Sequence, residues 1–484
     1  MRQTVLRPSP EGAAVPGPPL RLNPDQAPID VVELELGDQV AGPELRRVGE
    51  TGAVPAGHVL ALARVGGRPV GLVQAVVGAT DDPALVLAEA ARRDLELELR
   101  RATAALARTA PPAPGTDNGS RPGSESGAEP GAAGAYTPTI TVVIATRERP
   151  DLLARCLRSV EALHYPHADV DVVVVDNDPV TDATGELIRQ HHADRVRYVR
   201  EPVRGLAAAH NRGLAEARGE IVAFTDDDVV IDPGWLRALA AGFADPTGTA
   251  GDPRIGCVTG LILPARLGTR TQVMLEAHGG FTKGFQRRCW RLDQPPADDP
   301  LFPFTAGRFG SGANMAFRTE ALRRLGGFDP ATGTGTPAKG GDDLLSFFRA
   351  VVNGHHLVYQ PEALVWHHHR ERPEDLDNQA FGYGAGLGAY LAAAVAREPR
   401  MLPALLRRLP GGIRYALHNT GARPGPGADP AGTAPAAAGP AHAWPERLSR
   451  LQRRGLLYGP VGYLRSRRLV HGTPLPWEAR QHGH

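Results

Sequence analysis

The sequence predicts an α/β fold, a mostly parallel sheet with helices on both faces. Three observations lead there. Short runs between residues 139 and 224 are apolar with little alternation, amphipathic stretches lie between them, and the chain turns polar or acidic just after several of the runs. A strand apolar on both faces must be covered on both, and parallel strands are joined by crossover helices. Ligands of such sheets bind beyond the carboxyl ends of the strands.

Taken in order, Thr139–Ala145 reads as the first strand and Pro150–Leu163 as a helix. In that helix Leu152, Leu153, Cys156, Leu157, Val160 and Leu163 share one face, with Pro150 in the first turn where its missing N–H costs nothing. Val170–Val175 and Arg195–Val199 follow as strands, Leu206–Arg218 as a helix and Ile221–Phe224 as a fourth strand. Upstream, residues 28–108 read as a small α+β module. Its strands are Val31–Leu36, Val59–Val65 and Pro69–Val73, and a helical stretch covers Pro83–Ala107. Residues 1–27 and 109–136 are too rich in Pro, Gly and Ala to order themselves, the second being a linker. The main domain spans 137–370, and 371–484 forms a helical C-terminal region with an Ala/Pro/Gly linker near 422–443.

Composition narrows the function. Across 484 residues, 54 Lys and Arg nearly balance 53 Asp and Glu, which argues against a nucleic-acid partner. The three cysteines, Cys156, Cys257 and Cys289, are far apart without metal-ligand spacing, as expected of a reducing compartment. No signal-peptide pattern opens the chain and no uninterrupted apolar run is long enough to span a bilayer, so the expected location is cytoplasmic.

The strand ends carry the chemistry. Thr146-Arg147-Glu148-Arg149 follows the first strand, Asp176-Asn177-Asp178 the second and Asp226-Asp227-Asp228 the fourth. In extended chain Asp226 and Asp228 face one way and Asp227 the other. Paired hard carboxylates suit Mg²⁺ or Mn²⁺, which can bridge the oxygens of a diphosphate. As structure alone the triplet would be an acidic loop end ahead of a helix capped at Asp232-Pro233, but its place after an apolar strand favours a ligand. A dehydrogenase would need Gly-x-Gly-x-x-Gly after the first strand, where Thr146-Arg147-Glu148-Arg149 stands instead. P-loop, Gly-x-Ser-x-Gly and His-Glu-x-x-His patterns are missing, as is the Gly-rich first loop of a nucleotidyltransferase.

VVIATRERPDLLARCLRSV, VVVVDNDP, RGLAAAHNRGLAEARGEIVAFTDDDV and GGDDLLSFFRAVVNGHHLVYQPEALVWHH occur in the order seen in family 2 glycosyltransferases of the GT-A (Rossmann-like) fold, which residues 137–370 resemble. The resemblance implies inverting, metal-dependent transfer of a sugar from a nucleotide diphosphate donor. It gives Thr146 and Arg147 the nucleoside, Asp176 the base, and Arg204, Gly205 and Asn211 the helix beside the nucleotide. Asp226 lies near the ribose, Asp228 on the Mn²⁺ or Mg²⁺ with Asp226 as a second ligand, and Asp227 among the donor contacts. Asp343 stands in the position of the catalytic base, and Asp342 replaces the usual Glu before it, which leaves open which aspartate acts. As structure alone the pair would favour a helix N-terminus. Asn314, in Gly310–Ala316, points at donor or acceptor, or else stabilises a turn. His367 completes the metal site, with His369 on the same side of the strand as the reserve.

The resemblance implies an acceptor that is a glycan, a lipid-linked intermediate or a small molecule, with a role expected in cell-surface glycan or natural-product glycoside synthesis. A rival of another class is a nucleotide-sugar-binding subunit without catalysis, which rests on Asp342. Downstream, Phe381–Leu387 opens a small-residue apolar stretch, with Arg397, Arg400, Arg407, Arg408 and Arg414 following among leucines. Two readings stand: a region lying at a membrane surface, giving peripheral contact, or helices packed on the main domain with arginines outward.

Overall fold

The computed structural model describes residues 22–37, 42–49, 52–109, 135–408, 410 and 445–470. The linkers expected at 109–136 and 422–443 lie almost wholly outside these, as do most of residues 1–27 and Arg414.

Two sheets organise the chain. The smaller contains β1 (Ile29–Glu35), β2 (Glu44–Arg47), β3 (Gly57–Val65) and β4 (Arg68–Val77), in the order β2-β1-β3-β4. Only β1 and β3 run parallel. The single helix expected over 83–107 is two, Pro83–Asp94 and Glu96–Thr109. The break falls at Leu95, whose side chain packs into the core beneath the sheet. Asp82 starts the first by accepting hydrogen bonds from the backbone N–H groups of Ala84 and Leu85.

The larger sheet has nine strands: β5 (Ile140–Thr146), β6 (Val170–Asn177), β7 (Val196–Glu201), β8 (Ile221–Asp226), β9 (Val229–Ile231), β10 (Ile255–Pro264), β11 (Arg288–Trp290), β12 (Asn314–Arg318) and β13 (His356–His367). Their order is β11-β13-β10-β12-β8-β5-β6-β7, with β9 paired to β13. The pairings make six of the nine, β5 to β8, β10 and β13, point one way, and β12 runs against its neighbours β8 and β10. Every residue of β5 and of β10 is buried, as strands apolar on both faces require. The strands and helices expected between 139 and 224 are present with ends shifted by a few residues, and a further helix, Ala183–His191, precedes β7.

The two sheets share one core. Leu22, Ile29, Val31, Leu60 and Leu62 pack with Leu267, Leu364 and Trp366, and the Ile29 N–H donates to the Leu267 carbonyl. Beside them Arg64, almost fully buried, reaches Glu33 at 3.1 Å and Asp232 at 2.6 Å. Partly buried carboxylates brought together in this way need a cation to pair with.

At the other end, helix Pro373–Arg397 and helix Glu446–Leu469 lie side by side, with Asp377 paired to Arg447 and Gly384 against Gln452, Gly388 against Gly459. Residue numbers rise together along the contact, so the pair is parallel. Glycines allow the approach: a Cβ on Gly384 would stand 1.9 Å from the Gln452 carbonyl oxygen and one on Gly459 2.5 Å from that of Ala385. The small-residue stretch from Phe381 is thus a helix-packing surface. Arg397 pairs with Asp329 at 2.8 Å, and Arg400 with Glu398 at 3.2 Å. No helix among the described residues is long and apolar enough to cross a membrane.

Candidate active site

Pairing decides which side chains meet. β8 ends at Asp226, the chain turns through Asp227 and Asp228, and β9 then runs back along β13 with Val229 opposite His367. The His368 N–H donates to the Asp228 carbonyl. His367 is therefore carried to the acidic turn from nearly 140 residues downstream, its Nε2 lying 3.4 Å from Asp228 Oδ1.

Asp226, Asp228 and His367 each offer one ligand atom, all within 4.8 Å of one another. Asp228 Oδ1 and His367 Nδ1 are buried without a hydrogen-bond partner. Burial and the neighbouring Asp228 and Asp227 push the Asp226 carboxyl well up. Burial opposes ionisation of Asp228, but His367 and Arg149 together hold it below the usual carboxylate range. Burial drives His367 down to about 4, which leaves its imidazole neutral at pH 7 and able to ligate. Two carboxylates and a neutral imidazole, with orphaned atoms and mutual repulsion, fit a divalent cation of the Mn²⁺ or Mg²⁺ kind. His369 is placed otherwise: its Nε2 meets Glu276 Oε2 at 2.8 Å on helix Arg270–Gly279, and the Phe281 ring stacks on it.

Asp227 faces inward, as alternation requires. Its carboxylate accepts from Thr146 Oγ1 at 2.6 Å and pairs with Arg149 at 2.6 Å, and burial pushes it up to about 7. Arg149 also bridges to Asp228 at 3.1 Å. The sequence shows Arg149 but offers no sign of this contact, which ties the residue just before helix Pro150–Glu161 to the acidic turn after β8.

The nucleoside-side candidates gather at the ends of β5 and β6. Arg147 pairs with Asp178 at 3.0 Å. Asp176 accepts from Tyr198 Oη at 2.8 Å, keeps Oδ1 unpartnered, and is pushed up mainly by burial. Asn177, not among the expected site residues, accepts from the Gly205 N–H at 2.9 Å. Gly205 has φ +137 and Thr336 close above it, which suits glycine alone, and it starts helix Leu206–Glu216. Arg204 beside it is exposed. Two expected contacts point elsewhere. The Asn211 amide is used at both ends by the Phe328 backbone, and Asn314 is clasped by Trp235 and the carbonyls of Leu261 and Ala363. Both are buried scaffold residues, since turning toward a ligand would strand those partners.

The second acidic pair opens helix Asp342–Val352, behind Gly341 at φ +91. Asp342 is buried, with His210 Nδ1 3.4 Å from its Oδ2. Asp343 is partly open, accepts from the N–H groups of Gly312 and Leu344, and is pushed up to about 6 by burial and then by Asp342. β12 pairs Asn314 with Thr225, so the Gly312 loop that holds Asp343 borders the β8 end. Asp342 also raises Asp226, so the two acidic groups feel one another.

Several known proteins are similar in sequence to this chain. The sequence model described as Glycosyl transferase family 2 matches residues 141–326. The pre-mycofactocin glycosyltransferase of Mycobacterium tuberculosis is 30% identical over 254 residues, 52% of this chain and 47% of that protein. The succinoglycan biosynthesis protein ExoM of Rhizobium meliloti is 35% identical over 240 residues, 49% of this chain and 68% of that protein. The chain spans about half the length of the first of these relatives. Among solved structures, the mannosyltransferase PcManGT from Pyrobaculum calidifontis, in complex with GDP-Man and Mn²⁺, shares 22% identity at a TM-score of 0.39, over 68% of this chain and 88% of that one.

Proposed function

The chain belongs to glycosyl transferase family 2, with a GT-A-type sheet, and from that premise we propose that it transfers a sugar, with inversion, from a nucleotide diphosphate donor to an acceptor hydroxyl. One observation carries the reading. A cation-ready set, Asp226, Asp228 and His367, borders a second, partly open carboxylate, Asp343, whose affinity for protons is raised.

Thr146, Arg147 and Asp176 line the nucleoside end, with Arg204 and Gly205 beside the phosphates. A Mn²⁺ or Mg²⁺ ion held by Asp226, Asp228 and His367 would neutralise charge on the departing diphosphate. Asp343 takes the proton from the acceptor hydroxyl as its oxygen bonds to the anomeric carbon, and the bond to the diphosphate breaks with its electron pair leaving on the phosphate. The Gly312 N–H aims Asp343, and one oxygen of Asp342 faces His210. That favours Asp343 as the base and Asp342 as a positioning residue. One relative is named for succinoglycan biosynthesis and another for glycosyl transfer to pre-mycofactocin, which supports a glycan, lipid-linked or small-molecule acceptor for this chain.

The test is release of sugar from a panel of UDP-, dTDP- and GDP-sugars, with and without Mn²⁺, for wild type and Asp228→Ala. Metal-dependent hydrolysis of one donor, lost in the variant, is expected. Nucleotide binding without turnover, even with candidate acceptors added, would replace the enzyme by a binding subunit. Failure to bind any nucleotide would remove both.

A further inference from the structure

Helix Glu446–Leu469 has two unlike sides. Its inner side is Leu448, Gly455, Gly459, Gly462, Tyr463 and Ser466, all buried. The outer side presents Leu457 at 80% exposure, Val461 at 46% and Leu464 at 56%, one stripe at helical spacing. Exposed arginines bracket the stripe, Arg450, Arg453 and Arg454 before it and Arg465, Arg467 and Arg468 after it. The helix holds seven arginines against one acidic residue, Glu446. Arg447 and Arg450 have carboxylate partners, whereas among the described residues Arg453, Arg454, Arg465, Arg467 and Arg468 have none.

We propose that this face docks on an anionic bilayer surface, with Leu457, Val461 and Leu464 at the acyl boundary and the arginines on lipid phosphates. Charge complementarity selects the partner. A helix lying in the headgroup plane needs a modest apolar stripe in the middle and long cationic side chains that reach up from its flanks. A nucleic acid would use the arginines and leave the three apolar side chains in water. The site differs from the stretch that opens the region the sequence suggested: Arg397 and Arg400 are spent on Asp329 and Glu398, and the five arginines of this face lie some 50 residues further on. The docking does not depend on the transferase reading.

The experiment is flotation of the full chain with vesicles of phosphatidylcholine alone or with about 30% phosphatidylglycerol, an anionic content that sets up a surface potential. Partition should be at least tenfold stronger on the anionic vesicles and should fall with added salt. The double change Arg453→Gln, Arg454→Gln should weaken it about 30-fold, from about fivefold per arginine. The triple change Leu457→Ser, Val461→Ser, Leu464→Ser should abolish it while Tm and donor hydrolysis stay unchanged, since all three side chains point away from the fold. Equal binding to neutral vesicles, no binding at all, or binding that the triple variant retains would each overturn the proposal. So would a dimer of the wild-type chain in light scattering that the triple variant disperses, which would assign the face to a second copy.

Discussion

Lowering the pH from 7 to 5 should slow the reaction about tenfold through Asp343 alone. Its carboxyl is pushed up to about 6 by burial and by Asp342. Only the ionised form accepts a proton, so the active fraction falls from roughly 0.9 at pH 7 to roughly 0.1 at pH 5, whereas an ordinary aspartate near 3.9 would lose less than about a tenth over the same interval. The assay is the initial rate of donor hydrolysis at each pH, with Mn²⁺ titrated to saturation at every point so that loss of metal is not mistaken for loss of base. Asp342→Asn removes the nearest negative neighbour, so the acid limb should move to lower pH and the loss by pH 5 should shrink. Asp343→Asn should cost about 10²–10⁴-fold and abolish the limb, with donor affinity unchanged. A wild-type rate that changes less than twofold between pH 7 and 5, or a limb that stays in place in Asp342→Asn, would refute this assignment.

Other expectations rest on separate contacts. His367→Ala should raise the Mn²⁺ concentration needed for half-maximal hydrolysis. His369→Ala should leave that concentration alone and cost about 1–3 kcal/mol in chemical denaturation, because it strands a hydrogen-bonded buried Glu276. Asp226 and Asp227 both bind protons more tightly folded than unfolded, so their contribution to stability is present at acid pH and lost as pH rises through about 7 for Asp227. Mn²⁺ relieves the repulsion that remains, so its gain in Tm should be larger at pH 8 than at pH 5 by scanning fluorimetry, and an equal gain would count against the metal set. Gly384→Ala should lower stability by about 1–3 kcal/mol, read as a fall in Tm, since its Cβ meets the Gln452 carbonyl, whereas Gly382→Ala on the open side of the same helix should be neutral or stabilising. Arg64→Met leaves Glu33 and Asp232 without their cation and should cost about 3–5 kcal/mol in the same measurement.

The parallel half of the large sheet was readable because β5, β6 and β8 are apolar on both faces, and periodicity alone marks such runs. β9 and β11, three residues each, carry too little pattern to stand out, and β2 alternates charge with a single leucine. The acidic turn was readable from alternation, which correctly separated Asp227 from its neighbours. Whether His367 or His369 faces that turn was not, because residues two apart on a strand share a side; the pairing that sets His367 against Asp228 and the Glu276 partner of His369 on another helix separate them. Asn211 and Asn314 show the converse limit. A polar residue in a suggestive segment looks the same whether it meets a ligand or a main-chain carbonyl, and here both amides are filled by backbone and Trp235.

Between the C-terminal helix pair and Asp343 there is almost nothing soft. Gly386 rests on Gly340 and Gly341, Gly462 lies against the Pro337 carbonyl, and Ser466 Oγ accepts from the Ala338 N–H. The glycine contacts, main chain on main chain, have no rotamers to take up movement, so the loop leading into Asp342 and Asp343 behaves as a stiff coupling with little compliance. The last described helix begins about 120 residues beyond the stretch matched by the family model, yet it is the backstop against which the acidic pair is braced. Trimming the chain to the stretch that the family model matches would remove that brace, along with Asp343 and His367 themselves.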